Sequence, residues 1–259
     1  MSAGSTSYGL VIAFFAGFAI SLCVWMPASF VLRVLPNDIP NLIAFDQIRG
    51  TVWAGSAQVS LRSQDASKQL RKLPGRLSWL WSLQGGEPRI GVTIDCCPAQ
   101  SVGLNLTVKD AQAMISVSDT QITLPLSLSE AAGAPFNTLK PSGELTLQTQ
   151  SLRLIFEENA LKVYGGALVE LIGVSTVMSA IKPIGSYAIQ VNGRGDMVSL
   201  ELDTKSGALR LRGTGEITYR RWRFDGVASS APGYELAMSN LLNVVGRRSG
   251  NQSVISMGK

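Results

Sequence analysis

The chain has 259 residues, a mass of 27.6 kDa and a net charge of +5; 46% of its residues are apolar, only 16% are charged, and none is histidine. That length allows one or two domains whose cores need neither disulfide nor metal, and the composition is too apolar for a disordered chain. The missing histidine excludes Ser–His–Asp and Cys–His nucleophiles, HExxH zinc helices and His-ligated haem, and 3 cysteines are too few for an all-cysteine zinc site.

The first segment is the most apolar. Ser2 to Leu32 holds no charged side chain, and Gly9 to Met26 is nearly all apolar. As a helix it measures about 27 Å at 1.5 Å per residue, against a hydrocarbon core of about 30 Å. Trp25 and Tyr8 stand where interfacial aromatics sit. These features predict a short N-terminal tail at 1–8 and a transmembrane helix at 9–29, with Gly9, Phe14, Phe18, Leu22 and Trp25 along it. The alternatives are a signal peptide, which would open with Lys or Arg and end in a small-residue cleavage site, and a buried core helix. Arg33 and Arg49 lean the topology weakly toward a cytoplasmic C-terminal domain, but large domains translocate against such a small bias.

Residues 33–259 read as a mainly β, antiparallel domain with few short helices. Apolar residues alternate with polar ones at Val92–Ile94, Leu104–Val108, Ile122–Leu128, Val198–Leu202 and Leu209–Leu211, which predicts strands with one dry and one wet face. Pro125 suits an edge strand or a bulge. Gly85-Gly86, Gly165-Gly166, Asn192-Gly193 and Ser206-Gly207 predict hairpin turns, so the sheet is an antiparallel meander and not a set of βαβ units. Ser129 to Ala134 suits one helical turn, and Glu170 to Ile181 is open between helix and buried strand. Gly143–Leu147 echoes Gly207–Leu211, as in a sheet extended by repeated hairpins. Pro135 to Pro141 is the candidate subdivision, and the two sides carry similar small positive excesses, so charge marks no boundary. Near the C-terminus, Met238, Leu241, Leu242 and Val245 form one helical face. Gly246 is its expected C-cap, followed by a frayed polar tail from Ser249.

Several short motifs match chemistry by spacing alone. Ser179 and Lys182 fit S-x-x-K, but no S-D-N or K-T-G element accompanies them and Pro183 interrupts the helix the motif needs. Gly193-Arg194-Gly195 and Gly213-Thr214-Gly215 lack a third glycine and read as turns. Arg220, Arg221 and Arg223 surround Trp222; alternation points Trp222 and Phe224 inward and Arg221 and Arg223 outward, as a candidate contact for a protein or anionic lipid. A single such cluster at pI 9.3 is not a nucleic-acid face. Cys96-Cys97 are read as two partly buried thiols or as a vicinal or intermolecular disulfide. Trp53, Trp79, Trp81 and Trp222 are candidate core anchors.

Gly50–Ala57 (Gly-Thr-Val-Trp-Ala-Gly-Ser-Ala) and Leu73-Pro-Gly-Arg-Leu-Ser-Trp79 resemble signatures of the type II secretion system protein N family. Gly185-Ser186-Tyr187, Val198 to Leu202, Gly207 to Gly215, and Leu241-Leu242 with Gly246-Arg247-Arg248 are similar to the blocks that close it. The resemblance implies a single-pass protein of the Gram-negative inner membrane with residues 33–259 in the periplasm. It implies association with other inner-membrane secretion components and with the outer-membrane secretin, with no catalytic residue, cofactor or metal. The leading expectation is a non-catalytic scaffold supporting export of folded proteins. The second is a lipid-binding or lipid-transfer module, since the alternating strands also look similar to the curved, groove-forming sheets of the AsmA-like class. A groove and a core share the same period, so both readings stand.

Overall fold

The computed structural model describes residues 4–30, 43–62, 70–95, 100–109, 112–133, 136–157, 160–218 and 221–258. Cys96, Cys97, Pro135 and Arg220 lie outside the described residues. Helix α1 (Gly4–Val24) comes first, then a 3-10 turn at Ala28–Phe30. The N-terminal half of the sheet holds β1 (Ile43–Gly50), β2 (Ala54–Arg62), β3 (Leu70–Lys72), β4 (Leu77–Gln84), β5 (Glu87–Ile94), β6 (Gln100–Lys109), β7 (Gln112–Val117) and β8 (Gln121–Pro125). A 3-10 segment, Leu126–Ala132, and the short α2 (Phe136–Leu139) interrupt it. The C-terminal half holds β9 (Ser142–Glu157), β10 (Ala160–Ser175), β11 (Gly185–Gly195), β12 (Met197–Gly207), β13 (Leu209–Thr218) and β14 (Trp222–Ser230), then α3 (Glu235–Val245), β15 (Arg247–Ser249) and β16 (Gln252–Gly258).

All 16 strands described form one antiparallel sheet in the order β1-β2-β4-β5-β6-β7-β9-β10-β11-β12-β13-β14-β16-β15, with β3 beside β2 and β8 beside β9. The long β9 is shared: β7 pairs its second half, Ala113 opposite Phe156, and β8 its first half, Leu124 opposite Leu145. The β2–β3 end returns to the 3-10 segment after β8, where Arg71 is ion-paired with Glu130, so the N-terminal half of the sheet curls. Residues opposite one another in a ladder share a face. One face is therefore apolar from end to end: Trp79, Val92 and Val102 align across β4 to β6, and Leu106, Ile115, Leu154 and Val163 across β6 to β10. Val169, Ile189 and Leu202 continue it across β10 to β12. The other face carries Asp203, Arg212, Arg223 and Asp225.

The main core lies where α3, α2 and the 3-10 segment roof this apolar face. Met238, Leu241 and Leu242 of α3 are fully buried against Tyr187, Leu209 and Ala228; each buried Leu or Met contributes about 1.5–3 kcal/mol. Ser253 of β16 donates its hydroxyl to the Leu242 carbonyl at 2.6 Å, satisfying one acceptor in the last turn of α3.

Several sequence expectations are corrected. Glu170 to Ser175 is strand, the end of β10. Ile122–Leu128 is strand only to Pro125 and 3-10 beyond it; Pro125 closes β8, which pairs only with β9. Gly165-Gly166 and Asn192-Gly193 lie inside β10 and β11, where Gly166 opposes Asn192, and Gly213–Gly215 lies inside β13. Gly246 is extended, not left-handed, and the tail expected to fray forms β15 and β16. The expected apolar N-terminal helix is present as α1, but it ends at Val24 because Pro27 bridges to Thr51. Among the described residues no helix is long and apolar enough to cross a membrane; α1 itself opens on the polar run Gly4–Ser7.

Candidate functional site

The roof does not fill the space beneath it. Between α3, α2, the 3-10 segment and β10 to β14 lies an apolar cavity of about 320 Å³, at the small end of ligand-pocket volumes. Strand alternation supplies its floor: Leu171, Tyr187, Ile189, Leu202, Leu211 and Phe224. Leu126, Phe136 and Leu139 wall one side, and Leu241 and Val245 close the top. Among the described lining residues the side-chain polar groups are the Thr176 and Tyr187 hydroxyls. Thr176 Oγ1 donates to the Leu139 carbonyl, tying α2 to the end of β10. Tyr187 donates to the Leu209 carbonyl at 3.1 Å, and burial pushes its phenol well above the usual tyrosine range. With both hydroxyls engaged, the cavity offers a guest apolar contact and little else.

Beyond the roof the same face is bare. Phe156, Leu161, Ile217 and Trp222 share it at the far ends of β9, β10, β13 and β14, with Met257 of β16 at the cavity's edge, and all five are exposed. They form an apolar ledge leading from the cavity toward the β7 junction.

The residues singled out from sequence fall in three places. Gly9, Phe14, Phe18 and Leu22 lie on α1 and Trp25 just beyond it; the described apolar side chains among them are exposed. Arg221 and Arg223 are exposed near the start of β14, but Arg223 is ion-paired with Asp225, whose other oxygen accepts from Ser256 Oγ at 2.8 Å. These bonds hold the Asp225 carboxyl below its ordinary range, Arg223 contributing most. Of the four tryptophans expected in the core, Trp79 and Trp81 are half-buried and Trp53 and Trp222 are exposed. Alternation assigned Trp222 to the apolar face correctly, but the roof stops short of it. Trp53 lies in the β1–β2 turn, edge-on to Trp81 with ring centroids 5.8 Å apart.

Sequence reasoning did not single out the cavity walls. Phe136 and Leu139 sit in a segment too short for a helical period, Leu126 reads as a strand position of Ile122–Leu128 but lies in the 3-10 segment instead, and the floor positions have the same spacing as any core. Ser179 and Lys182 form no catalytic pair: Ser179 is buried, its Oγ accepting from the Ile181 amide at 3.1 Å, and Lys182 is exposed. Among the described residues no group of three His, Cys, Asp or Glu side chains is placed to hold a metal.

No curated protein and no solved structure matches the chain. The model of the type II secretion system (T2SS) protein N family matches residues 41–255, which takes in the sheet up to the middle of β16, the roof and the cavity lining apart from Met257. The chain belongs to the type II secretion system protein N family.

Proposed function

We propose that the protein is a non-catalytic accessory scaffold of the type II secretion apparatus, anchored in the inner membrane by the N-terminal helix α1, with its N-terminus in the cytoplasm and residues 33–259 in the periplasm. The observation that carries this reading is the family match over 41–255. What supports α1 as the anchor is its surface, which from Gly9 to Val24 carries no charged side chain. Its apolar side chains from Val11 to Val24 are exposed on every side, a surface that water does not favour. The partners are other inner-membrane secretion components and the outer-membrane secretin, with Arg221 and Arg223 as a candidate contact. Deleting the gene should lower export of folded proteins or assembly of the secretin; unchanged export and secretin assembly would refute the proposal. Cross-linking the tagged chain in its native cells identifies the partners.

A second reading is favoured by the cavity and its bare ledge: the apolar face accepts an acyl chain. A purified chain that carries stoichiometric lipid, lost when Leu202 is replaced by Trp to fill the floor, would support it. A lipid-free chain would leave the cavity a packing defect.

A further inference from the structure

The end of α1 is fastened to the sheet. Trp53 Nε1 donates to the Cys23 carbonyl at 2.8 Å, and the Val52 amide donates to the Met26 carbonyl at 2.9 Å. Pro27 bridges to Thr51, and Ala28 is buried. The turn is held from behind as well: Trp79 Nε1 donates to the Val52 carbonyl at 2.9 Å, and the Trp81 amide donates to the Trp53 carbonyl at 2.8 Å. The helix therefore leaves the sheet at a fixed place, the β1–β2 turn.

The β4–β5 hairpin passes that place. Leu80 opposes Ala54, the first residue of β2, and β4 continues to Gln84 before turning at Gly85-Gly86. Three more residues carry Leu83 roughly 10 Å beyond the start of β2, off the same end that α1 leaves. Here alternation fails. Trp81 and Leu83 point to the apolar face and Leu80 to the other, so the tip is apolar on both sides. Leu83 is 77% exposed and Leu80 60%, beside Trp53 at 40% and Trp25 at 77%. Exposed apolar groups on both faces of a hairpin are costly in water, and tryptophans gathered around a helix end match the headgroup region of a bilayer.

We infer that the β1–β2 turn and the β4–β5 hairpin tip form a collar that sits in the lipid–water interface around the point where α1 emerges, fixing how the sheet stands on the membrane. This rests on the proposed anchoring of α1. Given that anchoring, the Trp53–Cys23 hydrogen bond alone holds Trp53 at the interface, and the Trp53–Trp81 contact extends the collar to the hairpin.

Lipid-borne quenching tests it. Single cysteines at Trp25→Cys, Leu80→Cys, Leu83→Cys and Val227→Cys are introduced in the full chain with Cys23, Cys96 and Cys97 replaced by Ser. Each is labelled with bimane and reconstituted in phosphatidylethanolamine–phosphatidylglycerol nanodiscs containing nitroxide lipid. All four positions are exposed, so the substitutions spare the core. The labels at 25, 80 and 83 should be quenched several-fold more than that at 227, which lies on β14. Quenching at 25 with 80 and 83 at the level of 227 would overturn the collar and leave the anchor standing. No quenching at 25 would overturn the anchor and the collar with it.

Discussion

Tyr187 is the residue whose replacement reads out the roofed cavity most directly. It is 2% exposed, and its hydroxyl donates to the Leu209 carbonyl across two strands. Replacing it with Phe keeps the ring and removes one buried hydrogen bond, so near pH 8 the variant should be less stable by about 1 kcal/mol. Burial raises the phenol, so the folded chain keeps a proton that the unfolded chain releases above pH 10. The stability of the wild type is therefore full below pH 10 and falls as pH rises. With an unfolded tyrosine pKa of about 10, the loss reaches about 1.4 kcal/mol at pH 11. Tyr187→Phe lacks that loss, so its deficit should shrink as pH approaches 10, vanish between pH 10 and 11, and be reversed by about 0.4 kcal/mol at pH 11. Urea denaturation in mild detergent, followed by tryptophan fluorescence at pH 8, 10 and 11, measures the gap. A gap that stays constant over this range would refute the buried, hydrogen-bonded phenol and the packing drawn around it.

Leu242→Ala removes a fully buried side chain from the roof and should cost about 2–5 kcal/mol, read from the urea midpoint, whereas Leu236→Ala, on the exposed side of α3, should stay within about 0.5 kcal/mol. Gly207 has φ 126°, and a Cβ there would lie 2.2 Å from the Gly185 Cα. Gly207→Ala should therefore lower the thermal midpoint far more than Gly233→Ala, where φ is also positive but the space is open. The Asp225 carboxyl should titrate below its ordinary range by NMR and return toward it in Arg223→Ala. Since its folded pKa is depressed, the small contribution of this pair is present above the unfolded value and lost as pH falls through the folded one.

The faces of the sheet were legible because alternation is a local property. Val198, Leu200 and Leu202 point one way whatever surrounds them, and the structure pairs them with Ile217, Gly215 and Gly213 on that same face. Turn positions were less legible, because glycine serves two purposes. A Cβ on Gly193 would lie 2.5 Å from the Val163 carbonyl oxygen, and one on Gly213 2.5 Å from the Phe224 ring. These glycines let strand and side chain approach closely inside β11 and β13, and nothing local separates that need from a turn. The tryptophans were misplaced for a different reason. A large apolar side chain favours burial, but Trp53 and Trp222 lie where the sheet has outrun its cover. The sequence Trp79-Leu80-Trp81-Ser82-Leu83 did carry a signal, since Leu80 breaks the period that its neighbours keep.

A sheet that is apolar along one whole face and roofed over only part of it has two kinds of apolar surface at once. Under α3 the face is core, and its side chains reach a few per cent exposure or less. Past the roof, Phe156, Leu161, Ile217 and Trp222 keep the same register and face water. The opposite face cannot share that role, because Arg212 meets Asp203 at 3.1 Å, Arg223 pairs with Asp225, and all four side chains are substantially exposed. Covering them would strip water from charges whose exposed pairing returns little. Over β12 to β14 an apolar partner, protein segment or acyl chain, is thus confined to one side of the sheet, the side that also carries Trp81 at the end nearest α1.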